Sequence, residues 1–254
     1  MQEKWRFNGF YSQAQLARWY EAAPKRYSCR QMGDKPTISQ WTALSYTAAR
    51  CCLPGVRLVM GECDPRFFSP ALLPKNWITG VQRFAALIAD EAVPLSRLHA
   101  GISGAAFLLE AAANGVATVW VAATYRKKDC PVNLKENEQI IGVIALGQPQ
   151  GSWPETVERK RKPLEKICQS DYTAWPQWAQ DAAKCMQIAP SAMNAQPWQL
   201  AYAAGSLALM GSARSAVDLG IALLHMEAAI RQPHIWVLGS GDKEIARVRL
   251  IQET

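Results

Sequence analysis

Apolar residues along the chain recur with two periods, one typical of helices and one typical of strands. The helical period predicts six helices, at residues 11–21, 39–49, 80–90, 103–114, 176–188 and 213–230. Shorter apolar runs predict seven strands, at residues 56–61, 118–122, 139–147, 199–203, 206–210, 235–239 and 245–250. Helices around short strands indicate an α+β fold, in which helices pack around small, mainly antiparallel sheets.

The pattern of elements repeats along the chain. Residues 101–120 and 217–236 each read as an apolar helix with Glu-Ala-Ala near its end, followed by a strand that contains tryptophan. Residues 41–59 and 178–202 each read as a helix, a turn with proline and a strand, and the second turn is longer. Two matches in the same order predict a tandem duplication of two related halves. We place these halves at residues 1–168 and 169–254.

Composition narrows the class of protein. The 254 residues are 49% hydrophobic and 19% charged, which is typical of a globular chain. No apolar run has the ~20 residues of a membrane helix, and the N-terminus lacks an apolar signal core. Seven cysteines without a CxxC pair and three histidines argue against a disulfide framework or a metal site. These features predict a cytoplasmic protein that does not bind a membrane.

The net charge is +7, and the basic residues are spread along the chain with two local clusters, at residues 25–30 and 159–162. Neither cluster is long enough for a nucleic-acid-binding arm, so we expect no nucleic acid partner. Two separated clusters suit one phosphate group held from two sides. Each cluster taken alone is also compatible with an ordinary solvated surface.

The segment at residues 189–198, APSAMNAQPW, carries the most specific chemistry. Its prolines fix the backbone, and Ser191, Asn194 and Gln196 place hydroxyl and amide groups on a stiff loop. Such a loop can hold the polar rim of a planar ligand. It can equally serve only as a capped turn between a helix and a strand.

This segment resembles the APSxxNxQPW loop of the FMN-dependent nitroreductase family. Other segments resemble the family in its own order: KRYSCR at 25–30, the long helix and tryptophan strand at 104–120, the strand ending in Gly-x-Pro at 139–149, RKRKP at 159–163, and the helix at 217–229. In ordinary members the loop follows the first basic segment closely, whereas here it lies in the second half. The resemblance therefore points to a branch built as an internal pseudo-dimer, with one complete flavin site and no requirement for a second subunit.

The resemblance implies a role for each candidate residue. Arg26, Arg159 and Arg161 are expected to bind the FMN phosphate together with the Ser28 hydroxyl. Arg30 is expected to approach the pyrimidine end of the flavin. The loop contributes Pro190, Ser191 and Asn194. Backbone groups of Trp120, Val121 and Ala122 are expected near the site where hydride arrives.

The implied activity is that of an enzyme, an oxidoreductase that uses NAD(P)H. By a ping-pong hydride transfer it reduces a nitroaromatic, quinone or flavin-type acceptor, a small aromatic molecule. No catalytic side chain is required, since the flavin does the chemistry, and neither GxSxG nor GxGxxG occurs in the chain. Two other classes remain open: a flavin-binding sensor or carrier, and a flavin-free scaffold with the same fold.

Overall fold

The computed structural model describes residues 4–5, 7–68, 78–239 and 243–251. Within these ranges six α-helices form, which we number α1 Gln13–Ala22, α2 Ile38–Arg50, α3 Ser96–Ala113, α4 Leu164–Ile167, α5 Gln177–Gln187 and α6 Ala216–Ala229. The strands are β1 Lys4–Trp5, β2 Val56–Glu62, β3 Arg83–Asp90, β4 Ala117–Val121, β5 Glu138–Gly147, β6 Trp198–Ala203, β7 Ser206–Gly211, β8 His234–Leu238 and β9 Glu244–Leu250. None of the described helices is long and apolar enough to cross a membrane.

The chain divides into two compact units. The central unit is Pro24–Val157, and the terminal unit combines Met1–Ala23 with Glu158–Thr254. Residues 1–23 join the C-terminal part because β1 pairs with β8 and α1 packs on α6. The predicted boundary at 168/169 therefore falls inside the terminal unit, and the division into halves at that boundary stays a prediction about sequence repeats.

In the described part of the chain each unit contains one sheet, and all pairings between the strands of these sheets are antiparallel. The order is β2-β3-β5-β4 in the central unit and β1-β8-β9-β7-β6 in the terminal unit. Apart from β1, the two sheets have the same strand order, with a helix before the first strand and another before the third. Both also carry a register shift in the same strand pair, β3 with β5 and β7 with β9. These parallels support the proposed duplication. The prediction of α+β architecture with small antiparallel sheets is confirmed.

One predicted helix, residues 80–90, is wrong. The structure forms β3 at Arg83–Asp90, paired on both sides with β2 and β5. Its sequence, RFAALIAD, has six consecutive buried residues and therefore no polar alternation to reveal a strand. The alanines also favour a helix in isolation. Gly80 precedes the strand with φ +73, where a Cβ would collide with the Met32 carbonyl group, so the chain turns there.

Local sequence explains several helix boundaries. Ser12 and Gln15 form a reciprocal capping box at the start of α1, and Thr37 and Gln40 do so at α2. Nearly every residue of α3 is buried, which agrees with its prediction as a core helix. Of the aromatic segment at residues 62–77, Phe67 and Phe68 are buried in the core of the central unit. Residues 69–77 lie outside the described residues.

The central unit contains an ion pair that spans its sheet. The Arg57 guanidinium on β2 donates two hydrogen bonds to the Glu138 carboxylate, at 2.8 and 2.7 Å, and the Lys135 amide donates another at 2.8 Å. The hydrogen bonds from Arg57 and then from Lys135 lower the pKa of Glu138 from its ordinary 4.5 to about 2. Because the folded-state pKa is depressed, this stabilisation is complete above about pH 4.5 and is lost as the pH falls towards 2.

We expect Glu138→Gln to lower the free energy of unfolding by about 1–2 kcal/mol near pH 7, because charge-assisted hydrogen bonds become neutral ones. The difference from wild type should shrink as the pH falls below 4. Urea unfolding between pH 3 and pH 7 measures both effects. The exposed neighbour supplies the control, since Glu136→Gln should change the free energy by less than about 0.5 kcal/mol. Equal stability of Glu138→Gln and wild type at pH 7 would contradict the assignment.

Candidate functional site

The loop between α5 and β6 has an unusual backbone. Three non-glycine residues have positive φ: Met193 at 52°, Asn194 at 56° and Gln196 at 47°. Asparagine adopts this region readily, but methionine and glutamine do so at a cost of about 1 kcal/mol or more each. The Met193 side chain is fully exposed at the tip. The loop is therefore held in this shape by contacts elsewhere in the terminal unit.

Contacts within the loop fix its base. The Gln196 amide N–H donates to Ser191 Oγ at 2.9 Å, and the Gln196 side chain is buried. Ala189 is also fully buried, so the residue just before the loop is anchored in the core. Ser191 is thus engaged within the loop, and Pro190 lies next to it in the chain.

The basic segment, residues 159–162, lies against this loop. Arg161 Nη1 donates to Asn194 Oδ1 at 2.7 Å, and Asn194 Nδ2 donates to the Lys160 carbonyl oxygen at 2.8 Å. The Lys162 amide donates to Gln196 Oε1 at 2.8 Å, and Lys162 Nζ donates to the carbonyl oxygens of Ala195 and Gln196 at 2.8 and 3.0 Å. The structure thus brings two predicted site residues, Arg161 and Asn194, into direct contact.

Helix α6 holds the opposite end of the loop. Asp218 Oδ1, in the first turn of the helix, accepts a hydrogen bond from the Ala192 amide at 2.9 Å. Burial raises the pKa of Asp218, and the hydrogen bond from Ala192 partly offsets that rise. Asp218 lies in the helical segment 217–229 that resembles the family, but its sequence position gives no sign of this contact. Lys162 and Gln196 lie in the two segments with candidate chemistry, yet neither is among the predicted flavin contacts.

Two cations of the basic segment lie close together and half-buried. Burial lowers the pKa of both Arg159 and Arg161, and the charge of Arg161 lowers that of Arg159 further. Arg159 Nη2 donates to the Ala23 carbonyl oxygen at 3.2 Å. Two neighbouring guanidinium groups that have lost part of their hydration favour an anion, and phosphate matches their geometry.

The other predicted residues belong to the central unit. Arg26 is buried, whereas Ser28 and Arg30 are exposed. Ser28 lies beside Thr118 in a parallel bridge, and the Cys29 amide donates to the Thr118 carbonyl oxygen at 2.9 Å. The segment at residues 26–30 therefore lies along the outer edge of β4, the last strand of the central sheet.

Strand β4 carries the remaining predicted positions. The Trp120 ring packs against the core, where Gly104 of α3 and Gly142 of β5 leave the space that it occupies. Val121 is buried, and Ala122 is exposed just after the strand ends. The structure thus brings the 26–30 segment and residues 120–122 to the same edge of one sheet. The Trp120 side chain has a packing role, so at position 120 the backbone groups remain the candidates for ligand contact.

Comparisons with known proteins agree with the fold. Residues 19–230 match the family model described as "Putative TM nitroreductase". A crystal structure of a putative nitroreductase from Thermotoga maritima aligns with a TM-score of 0.65 and 19% identity, covering 91% of this chain and 93% of that one. A search of curated proteins gave no match.

Two further solved structures align over a smaller share of the chain. A nitroreductase family protein from Clostridium difficile 630 has a TM-score of 0.47 and 21% identity, covering 60% of this chain and 97% of its own. A nitroreductase with bound FMN from Desulfitobacterium hafniense has a TM-score of 0.42 and 13% identity, covering 56% and 94%. Since the family model spans most of the sequence, the chain belongs to the "Putative TM nitroreductase" family.

Proposed function

We propose that the protein is an FMN-dependent oxidoreductase that uses NAD(P)H to reduce nitroaromatic, quinone or flavin-type acceptors by a ping-pong hydride transfer. Membership of a nitroreductase family supports an oxidoreductase. The observation that carries the cofactor proposal is the half-buried pair Arg159 and Arg161, whose mutual repulsion a bound phosphate would relieve. When bound, FMN would supply the capacity to accept hydride from the nicotinamide and to pass it to the acceptor.

Each unit contains residues that fit one part of such a cofactor. The terminal unit offers guanidinium groups beside a loop with fixed hydroxyl and amide groups. The central unit offers a basic segment beside the exposed end of β4. The proposed flavin contacts remain those implied by the resemblance: Arg26, Ser28, Arg30, Trp120, Val121, Ala122, Arg159, Arg161, Pro190, Ser191 and Asn194.

The protein's own contribution is to bind and orient the cofactor. Guanidinium groups would bind the phosphate, and the loop would hold the flavin's polar atoms at fixed positions. Arg30 would place a positive charge near the pyrimidine ring, where negative charge develops on reduction. Because no acid–base side chain is assigned, we expect the rate of acceptor reduction to depend on binding and orientation.

The absorbance spectrum of the purified protein tests the proposal. We expect a yellow protein, directly or after incubation with FMN and removal of the excess, that NADH or NADPH bleaches under anaerobic conditions. Bleached protein should recover its colour when a quinone or nitroaromatic acceptor is added. A protein that stays colourless after incubation with FMN is a flavin-free scaffold. A yellow protein that neither nicotinamide bleaches is a flavin-binding sensor or carrier.

A further inference from the structure

The loop at residues 191–196 holds a strained backbone, and its anchors can be identified. Strained conformations of this kind persist only where the surroundings fix them. The anchors from outside the loop are the basic segment on one side and Asp218 on the other. Most of the hydrogen bonds come from the basic segment.

We infer that Arg161 is a positioning residue, which holds the loop in its strained shape through Asn194 instead of gripping the phosphate itself. Lys162 and Asp218 complete this clamp, which we define as Arg161, Lys162 and Asp218. Arg161 keeps its place in the proposed flavin site, on which its part in ligand binding rests, but acts there through Asn194.

The hydrogen-bonding capacity of Arg161 supports this role. A guanidinium group has five N–H donors. Nη1 directs its two to Asn194 Oδ1 at 2.7 Å and to the Lys160 carbonyl oxygen at 3.2 Å. Nη2 donates to the Ile188 carbonyl oxygen at 3.4 Å, and Nε is buried with no hydrogen-bond partner among the described residues. A two-pronged grip on phosphate through both terminal nitrogens would therefore require Nη1 to release Asn194 or the Lys160 carbonyl oxygen.

Asn194 is the bridge through which Arg161 acts. Its Oδ1 accepts from Arg161, and its Nδ2 donates to the Lys160 carbonyl oxygen, so both ends of the amide are tied to the basic segment. The Asn194 backbone has φ 56° and follows Met193, which has φ 52°. Fixing the Asn194 side chain from two directions therefore fixes the part of the loop where two successive residues have positive φ.

Hydrogen exchange of the flavin-free protein tests the inference without any ligand. We expect Arg161→Ala to speed exchange of the amides of Asn194, Ala195 and Gln196 about ten-fold, since a charge-assisted hydrogen bond is lost. Asn194→Ala removes the same hydrogen bond from the other side and should speed the amides of Ala195 and Gln196 similarly. Lys160→Ala is the control, because Lys160 accepts the hydrogen bond from the loop through its backbone carbonyl oxygen, which the substitution keeps, and it should leave exchange unchanged.

Paired affinities for FMN and riboflavin separate positioning from phosphate binding, since riboflavin lacks the phosphate. Arg161→Ala should weaken both ligands by the same factor and leave their affinity ratio unchanged. Arg159→Ala, which removes a proposed phosphate contact, should weaken FMN selectively. If Arg161→Ala selectively weakens FMN and leaves loop exchange unchanged, the inference is overturned. If the wild-type protein binds neither flavin, the proposed function fails, and the exchange experiment still decides the inference.

Discussion

Glu227→Ala is expected to lower the free energy of unfolding by about 3–5 kcal/mol, because it breaks a buried polar network in the terminal unit. Glu227 on α6 is 2% exposed, and its Oε2 accepts hydrogen bonds from Trp236 Nε1 and from His234 Nε2, both at 2.7 Å. Truncation would leave an indole N–H and an imidazole without their partner in the core. Chemical denaturation measures the loss, and Glu21→Ala on the exposed face of α1 is the control.

The same network predicts how stability depends on pH. Burial by itself would lower the pKa of His234, but the hydrogen bond and charge of Glu227 outweigh it and raise the pKa above its ordinary 6.5. His234 Nδ1 lies 2.7 Å from the Gln232 carbonyl oxygen, so that nitrogen carries a proton. A raised folded-state pKa stabilises fully below pH 6.5, and the contribution is lost as the pH rises through that pKa.

Glu227→Gln distinguishes the effect of the Glu227 charge from the effect of the side chain's size. It keeps the size of the side chain but removes the charge, so the pKa of His234 should fall, as measured by NMR titration. The decline in stability above pH 6.5 should also flatten. If His234 titrates identically in wild type and Glu227→Gln, the carboxylate does not control it.

Arg26→Ala is expected to weaken FMN binding by about 1.5–3 kcal/mol, or about 10- to 150-fold, the value of a hydrogen bond to a charged group. Arg26 is 4% exposed and begins the segment that runs along β4. Quenching of FMN fluorescence measures the affinity. Lys25→Ala, which alters the exposed neighbour, should bind FMN as wild type does.

Because Arg26 is buried, the fold of the variant is checked separately by circular dichroism and thermal unfolding. Arg26→Lys retains the charge but loses the planar fork of donors, so its affinity should lie between those of wild type and Arg26→Ala. An Arg26→Ala protein that is folded and binds FMN with wild-type affinity would show that the phosphate lies elsewhere.

Apolar periodicity placed most helices and strands close to their observed positions. The predicted starts at residues 11 and 39 lie within two residues of the starts of α1 and α2, which the structure shows to be capped by Ser12 and Thr37. The near-complete burial of α3 matches its apolar composition. Periodicity failed for β3, because a strand buried on both faces and a buried helix carry the same apolar run. Whether Ala85–Ala86 sits in a strand is decided by pairing with β2 and β5, which is tertiary information.

The candidate site was predictable in its residue types but not in its contacts. The APSAMNAQPW and RKRKP segments were both recognisable, yet nothing in either shows that Arg161 would donate to Asn194. That contact joins positions 33 residues apart, and it depends on how α4, which follows the basic segment, packs against α5 and β6. The contact of Asp218 with the loop could not be predicted from the sequence either. Asp218 accepts a hydrogen bond from the backbone amide of residue 192, and every residue type except proline supplies such an amide.

The shared strand order of the two sheets has a consequence for how this chain can change. The connection from α2 to β2, residues 51–55, and the connection from α5 to β6, residues 188–197, occupy the same place in the two patterns. In a symmetric homodimer every substitution appears in both copies of an element, so neither copy can specialise alone. Here one gene encodes both connections separately. A designer can therefore shorten, lengthen or randomise residues 188–197 while residues 51–55 keep their sequence.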